Sequence, residues 1–226
     1  MRVSRLVFLV VVLFSLAMPL TGHCTEAGAR DNGSGRTALM QAALEGNSQA
    51  IQTLINNGAD INARNNNGQT ALMYAALRGH SQAIQTLLNN GADINARNNK
   101  GYTVLMYAAL RGHSQAIQIL LNNGADINAR DNKLGMTALM CTALGGHSQA
   151  IQTLLNNGAD IHARSNVGQT ALMFAAFGGN SQAVQILLNN GADINARDND
   201  GQTALIFARS EKHADVARLL EKYGAK

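Results

Sequence analysis

Apolar residues occur along the chain in short clusters that alternate with stretches rich in Asn and Gly. In residues 68–100, apolar side chains at Leu72 and Ala75 follow Thr70 at helical spacing. Threonine is a good N-cap, and the glycine after Arg78 is a good helix terminator. This segment therefore predicts a first helix that begins after Thr70 and runs to about Arg78.

A second helix is predicted in the same segment, between Ser81 and Gly91. Ser81 is expected to cap its start, and Gly91 is expected to end it in a left-handed conformation. Its apolar stripe has the spacing i, i+1, i+4, i+5: Ala83, Ile84, Leu87 and Leu88. The connection that follows, residues 93–101, is rich in Asn and Gly and predicts a projecting β-hairpin.

The same two-helix pattern recurs along most of the chain. Its capping threonine returns at a nearly constant spacing, with one step longer by a single position: Thr37, Thr70, Thr103, Thr137, Thr170 and Thr203. The predicted units are 35–67, 68–100, 101–134, 135–167, 168–200 and a charged capping unit, 201–226. Because a unit of this size cannot cover its own apolar face, neighbouring units must stack, and we predict an all-α repeat solenoid.

Each unit starts with the tetrapeptide Thr-Ala-Leu-Met or a close variant. This tetrapeptide and the 33-residue period are similar to the Thr-Pro-Leu-His signature of ankyrin repeats, so residues 35–226 resemble the ankyrin-repeat family. The resemblance implies stacked helix-turn-helix units with projecting β-hairpin loops. It also implies that a protein partner binds the concave face formed by hairpin tips and first helices. Methionine is expected to replace, by packing, the hydrogen bond that the signature histidine makes between units.

Two departures from the common unit are expected to be local. Leu134 is an added residue in the loop 131–135. His162 stands where the other units have asparagine, as at Asn95. The insertion should distort a single hairpin tip in the middle of the array.

The start of the chain has the composition of an export signal. Two arginines precede an apolar run over positions 6–20, which is shorter than the run that a membrane-spanning helix needs. We predict a secretory signal peptide over residues 1–24, removed between residues 23 and 29, and a short linker over 25–34. Two alternatives stay open, a lipid anchor on Cys24 and an uncleaved membrane anchor. The protein is expected to be secreted or periplasmic, and membrane-anchored under either alternative.

Composition and charge narrow the functional classes. The 226 residues include 18 Lys and Arg against 14 Asp and Glu, a net charge of +4 that falls to +2 once Arg2 and Arg5 are removed. This charge is too small to predict nucleic-acid binding. Without Cys24 the cysteine that remains is Cys141, so no internal disulfide is expected. We expect a monomer.

No pattern of residues indicates catalysis, a cofactor or a metal. His80, His113 and His147 recur once per unit, but stacked units would hold them about 10 Å apart, too far for one metal ion. They are interpreted as turn histidines at the start of each second helix. Cys141 occupies the position that Tyr74 has in an earlier unit, and it is interpreted as a core residue. We therefore expect a non-enzymatic protein without a cofactor.

Candidate partner-binding residues come from both parts of the expected concave face. The hairpin tips contribute Lys100, Tyr102, Lys133, Leu134, Met136 and Val167, and the first helices contribute Leu77, Arg78, Leu110, Arg111, Leu144 and Phe177. Residues that differ between units are the best candidates for choosing a partner, because duplicated positions need not each have a role. Tyr102 and Met136 are predicted to be anchors whose joint substitution weakens capture without lowering the melting temperature.

Two repeated patterns allow both a binding and a structural interpretation. The first is an apolar residue near the end of each first helix: Leu44, Leu77, Leu110, Leu144 and Phe177. It would form a binding stripe if exposed, or neighbouring loops would half-bury it. The second is an arginine at the start of each hairpin: Arg64, Arg97, Arg130, Arg164 and Arg197. These arginines could attract an acidic partner, although an aspartate four residues earlier in each unit favours pairing across the hairpins.

The sequence therefore favours an exported, non-enzymatic interaction module that binds a protein partner on its concave face. Two alternatives stay open: a secreted effector or inhibitor of another enzyme, and a membrane-tethered structural scaffold. Contact with a membrane is expected only if the amino-terminal segment is retained or Cys24 is lipidated.

Overall fold

The computed structural model describes Gly28, Arg30, Asp31 and residues 33–226. The predicted signal peptide, Cys24 and much of the predicted linker lie outside the described residues. Within the described part of the chain there are twelve helices, which follow one another as pairs. In chain order they are α1 (Ala38–Glu45), α2 (Ser48–Asn56), α3 (Ala71–Arg78), α4 (Ser81–Asn89), α5 (Val104–Leu110), α6 (Ser114–Asn122), α7 (Ala138–Gly145), α8 (Ser148–Asn156), α9 (Ala171–Phe177), α10 (Ser181–Asn189), α11 (Ala204–Ser210) and α12 (Ala214–Lys222). None of these helices has the length and apolar character needed to span a membrane.

The odd-numbered helices, which we call the first helices, begin after a threonine as predicted. Thr70 has an extended backbone, and its Oγ1 accepts a hydrogen bond from the Met73 amide at 3.4 Å. α3 ends at Gly79, whose φ of 70° is a left-handed conformation that favours glycine. The same bond to a threonine is made in every unit, at Thr37, Thr70, Thr103, Thr137, Thr170 and Thr203.

The even-numbered helices, which we call the second helices, do not start as predicted. Ser81 is the first helical residue of α4, and the N-cap is His80, whose side chain makes no capping bond. In α2 the N-cap is Asn47, and its Oδ1 accepts from the Ala50 amide at 3.0 Å. The prediction that Ser81 caps the second helix is therefore wrong, because Ser81 already has a helical backbone. The predicted left-handed end is confirmed at Gly91, with φ of 89°.

One continuous apolar core runs through the stacked units. Successive first helices pack against each other, from α1 on α3 to α9 on α11. The methionine that starts each unit is buried in the first five units: Met40, Met73, Met106, Met140 and Met173. Ile206 holds this position on the outer side of the last unit and is 42% exposed. The methionines therefore pack between units as predicted, and the all-α solenoid is confirmed.

The connections between units differ from the predicted β-hairpins. Residues 33–226 contain no strand, and antiparallel pairing is limited to isolated bridges such as Arg97 with Thr103. Each loop makes a backbone bond across its own turn, such as the one from the Asn98 amide to the Tyr102 carbonyl at 3.0 Å. It also lies on the loop before it, since the Asn99 amide donates to the Asn67 carbonyl at 3.0 Å. The same bond recurs at later loops, from Asn132 to Lys100, from Asn166 to Leu134 and from Asn199 to Val167. Backbone groups used between units are not available for a ladder within one loop.

The added residue Leu134 changes one turn and leaves the stacking intact. In the second unit, Asn98 Oδ1 accepts from two loop amides, both at 2.9 Å. In the third unit a carboxylate, Asp131, replaces that asparagine and accepts from the amides of Lys133, Leu134 and Met136 at 2.7–2.9 Å. Two carboxylate oxygens offer more acceptor sites than one amide oxygen, so they close a turn that is one residue longer.

Candidate partner-binding face

The candidate binding residues lie in two rows that cross the stacked units. One row follows the carboxyl ends of the first helices, and the other follows the tips of the loops between units. Equivalent residues of neighbouring units are separated by about 10 Å, the distance between packed helices. Each row is therefore a line of repeated positions rather than a single pocket.

The apolar row at the ends of the first helices is partly buried. Leu44 is buried, whereas the remaining four side chains are half-buried: Leu77, Leu110, Leu144 and Phe177. Each carbonyl of the row accepts a hydrogen bond from the following unit: Leu44 from His80, Leu77 from His113, Leu110 from His147, Leu144 from Asn180 and Phe177 from His213. Neighbouring units thus hold this position in place, and part of four side chains still faces solvent.

The turn histidines join neighbouring units. Nε2 of His80, His113 and His147 lies 3.1–3.2 Å from a carbonyl oxygen of the preceding unit. Since a carbonyl only accepts, Nε2 carries the proton in each ring. Burial is the largest effect on His113 and lowers its pKa, while the bond to the Leu77 carbonyl raises it by less. The described residues contain no group of three or more His, Cys, Asp or Glu side chains that could hold a metal ion.

Four cations of the middle units are exposed at the helix ends and loop tips. We call them the basic rim: Arg78, Lys100, Arg111 and Lys133. The fold does not require the two arginines, since other units have different residues at their position: Glu45, Gly145, Gly178 and Glu211. Val167 is 39% exposed at the tip of its unit, and Leu134 is half-buried. These predicted residues are accessible from solvent.

Tyr102 and Met136 are not on the surface, contrary to the prediction. Their exposed fractions are 5% and 2%. The position lies between the loop glycine and the capping threonine, and its side chain turns towards the next unit. The ring of Tyr102 lies 6.3 Å from that of Tyr107, and burial raises the pKa of its hydroxyl. The prediction that these two residues are partner anchors is therefore wrong.

The same position contacts an aromatic ring of the next unit, a contact that was not predicted from the sequence. Gln69 Nε2 donates to the hydroxyl of Tyr107, in the following unit, at 2.8 Å. Asn98 Nδ2 donates to the same hydroxyl at 2.8 Å. One unit earlier, the guanidinium carbon of Arg36 lies 5.4 Å from the ring centre of Tyr74. A sequence pattern could have predicted this contact. The residue after each loop glycine is separated by a nearly constant number of positions from the aromatic residue of the following unit.

The last pair of this kind differs from the others and lines a cleft. Gln169 is 3% exposed, and the ring that it meets in the next unit, Phe207, has no hydroxyl. Both residues line an opening of about 170 Å³, including its mouth, together with Met173, Phe174 and Phe177. The rings of Phe177 and Phe207 meet edge to face with their centroids 6.4 Å apart. We call this the aromatic cleft.

The loop arginines bind backbone rather than aspartate. Arg64 Nη2 donates to the carbonyl of Arg97 at 2.9 Å, and the guanidinium of Arg97 donates to the carbonyl of Arg130. Asp93, four residues before Arg97, instead accepts from the Asn95 amide in its own turn at 3.0 Å. The predicted pairing across the hairpins is therefore wrong, because both partners satisfy backbone groups. These two arginines join successive loops.

Cys141 is a core residue, as interpreted from the sequence. Its thiol is free and buried. Burial, with a smaller effect from Asp131, raises the pKa of the thiol to about 12. The thiol therefore stays protonated near neutral pH and is a poor nucleophile.

Comparison with known protein families identifies the repeated units. A family model described as ankyrin repeats (3 copies) matches residues 12–98, 93–165 and 162–226. The chain therefore belongs to the ankyrin-repeat family. No curated protein matches the chain at a significant level.

Proposed function

We propose that this protein is an exported, non-enzymatic interaction module that binds a protein partner at the helix ends and loop tips of its middle units. Ankyrin repeats are generally protein–protein interaction modules. The partner surface should be acidic with an apolar portion, because the basic rim lies along a half-buried apolar row. Export is proposed from the charged and apolar pattern of positions 1–20.

The basic rim is the main support for this binding face. Arg78 and Arg111 occupy a position that carries glutamate or glycine in other units, so stacking does not require their charge. Both follow a leucine of the apolar row, Leu77 or Leu110, whose side chain is half-buried. A cation next to an apolar side chain is a combination that protein interfaces use, with arginine enriched among the residues that dominate binding.

A stacked scaffold gives this face its affinity. The hydrogen bonds between units hold the helix ends and loops before a partner arrives, so less conformational entropy is lost on binding. Rim charges speed association with an acidic surface, and salt screens them over about 8–10 Å. Binding should therefore weaken as ionic strength rises.

Charge reversal tests the face directly. The variant Arg78→Glu/Arg111→Glu should capture its partner from the exported fraction at least about tenfold less well, because like charges then meet an acidic surface. The matched control, Lys222→Glu/Lys226→Glu, reverses two exposed charges of the last unit and should capture as the parent does. Thermal unfolding of both variants checks the fold. Unchanged capture by the first variant would contradict the proposed face.

Intact mass tests export. The chain is expressed with a carboxy-terminal tag in its own host, and the cells are fractionated. A soluble exported product that has been cleaved between positions 23 and 29 supports secretion. A product cleaved before Cys24 that carries added lipid mass indicates a tethered lipoprotein. A full-length product in the membrane fraction contradicts secretion and favours an anchored scaffold.

A further inference from the structure

We propose that the aromatic cleft binds a tyrosine side chain of the partner, with the phenol hydroxyl against the side-chain amide of Gln169. This inference rests on the proposed function, since it assigns one contact of the partner. It adds a pocket between the fifth and sixth units to a face that otherwise consists of two rows. The pocket selects for a hydroxyl-bearing ring.

The chain itself contains the arrangement that a bound tyrosine would complete. Gln69 occupies the position of Gln169 three units earlier, and its Nε2 donates to the hydroxyl of Tyr107 at 2.8 Å. The residue that corresponds to Tyr107 beside Gln169 is Phe207. A phenol hydroxyl therefore bonds to the glutamine amide at Gln69, and the equivalent hydroxyl is missing beside Gln169.

Gln169 is left without a partner as a result. The residue is buried, with 3% of its surface exposed, yet its side-chain amide forms no hydrogen bond with any residue in the described part of the chain. The amide atoms of Gln169 are not fully enclosed, so water can reach them through the cleft. A ligand that enters the cleft displaces that water, and one that supplies an oxygen to the amide replaces the lost hydrogen bond. Such a ligand therefore gains more than one that offers only apolar surface.

The lining of the cleft selects the rest of the ligand. Phe174, Phe177 and Phe207 line the cleft. Phe174 and Phe207 are buried, whereas Phe177 is half-buried and stands where the equivalent positions of earlier units have leucine. Aromatic rings favour another ring in an edge-to-face or offset arrangement. The enclosed part of the cleft has room for about one water-sized group, which is the size of a hydroxyl. The mouth is open, so the body of the ring can rest against Phe177.

The test uses the protein as its host produces it, with N-acetyltyrosinamide as the probe. Titration followed by NMR should shift the side-chain amide signals of Gln169 and the ring signals of Phe207 in a saturable way. N-acetylphenylalaninamide is the comparison ligand, since it differs by the hydroxyl alone. It should bind about tenfold more weakly, because it displaces water from the amide without replacing the lost hydrogen bond.

Two variants separate the cleft from other sites. Phe207→Tyr places a hydroxyl where Tyr107 has one. This hydroxyl should form a hydrogen bond with the Gln169 amide, raise the melting temperature and reduce probe binding at least about tenfold. Gln169→Met removes the amide and uses the residue that the fourth unit has at this position, Met136. It should bind both ligands with similar affinity.

Three outcomes overturn the inference. They are the absence of saturable shifts, equal affinity of the parent for both ligands, and unchanged tyrosine preference in Gln169→Met. The comparison of both ligands in Gln169→Met tests the inference even if Phe207→Tyr does not fold. The probe needs no partner, so failure here leaves capture through the basic rim intact. Loss of capture in the charge-reversal variant conversely leaves the cleft result standing.

Discussion

Single side chains decide whether neighbouring turns are joined. The asparagine at one position of the loop accepts a hydrogen bond from an amide of the next unit: Asn62 from Asp93 at 2.8 Å, Asn95 from Asp126 at 3.0 Å and Asn128 from Asp160 at 2.9 Å. His162 replaces this asparagine, and among the described residues the Asp193 amide has no such acceptor. His162→Asn should therefore raise the free energy of unfolding by about 0.5–1 kcal/mol. Urea denaturation measures this change in the free energy of unfolding. The reciprocal variant Asn128→His should lower stability. A loss of stability in His162→Asn would contradict the role given to this asparagine.

Because Met136 is buried, its substitution should lower the stability of the protein, contrary to the expectation from the sequence. Because its side chain packs between units at 2% exposure, Met136→Ala leaves a cavity and should cost about 2–5 kcal/mol of stability. Val167→Ala is the control at an exposed loop tip and should change stability by no more than about 0.5 kcal/mol. Thermal unfolding distinguishes the two variants. Equal melting temperatures of the two variants would contradict the burial of the Met136 side chain.

His113 makes stability depend on pH. Burial lowers its pKa in the folded protein below the ordinary value of about 6.5 that the unfolded chain has. The unfolded chain therefore binds the proton more tightly, and the contribution of His113 is present above about pH 6.5 and lost as the pH falls below it. His113→Asn, which copies the natural Asn180, should reduce the fall in melting temperature between pH 7.5 and pH 5.5. Parallel curves for parent and variant would contradict this assignment.

At the scale of the element, Gly79, the glycine that ends α3, has two roles. Gly79 has φ of 70°, and a Cβ there would lie 2.6 Å from the ring of His113 in the next unit. Gly91 after the second helix has φ of 89°, and a Cβ there would meet nothing within 4 Å. Gly91→Ala should therefore cost about 1–2 kcal/mol for its backbone alone. Gly79→Ala should cost about 1–3 kcal/mol more because it also displaces the histidine; equal losses on chemical denaturation would show that the ring contact is unimportant.

At the scale of the whole molecule, the sequence predicts the fold better than the surface. The helices follow from local signals, such as Thr70 before α3 and the glycine after it, and stacking follows because one unit cannot bury its apolar face. The direction of the Tyr102 side chain depends on the next unit, where the small Cys141 replaces the aromatic ring of earlier units. No local pattern contains such contacts, so the buried anchors and the aromatic cleft became visible only in three dimensions.

The stacked array also explains why the loops are not hairpins. A longer hairpin would pair more of its backbone groups internally, whereas a loop inside the array bonds once across its own turn and gives the next amide to a carbonyl of the loop before it. Leu134 illustrates the strength of this arrangement, since Asp131 absorbs the added residue and the Asn166 amide still reaches the Leu134 carbonyl at 2.8 Å. The proposed binding face therefore lies on a scaffold whose register tolerates a local insertion.

Site-specific photo-crosslinking of the protein in its own host tests most directly whether the middle units bind a partner. A photoreactive amino acid is placed at Arg78 or Arg111 in the basic rim, and at the exposed Gln115 or Gln149 on second helices as controls. We expect a covalent partner adduct from the two rim positions and none from the two control positions. An adduct formed only at Gln115 or Gln149 would contradict the proposed face.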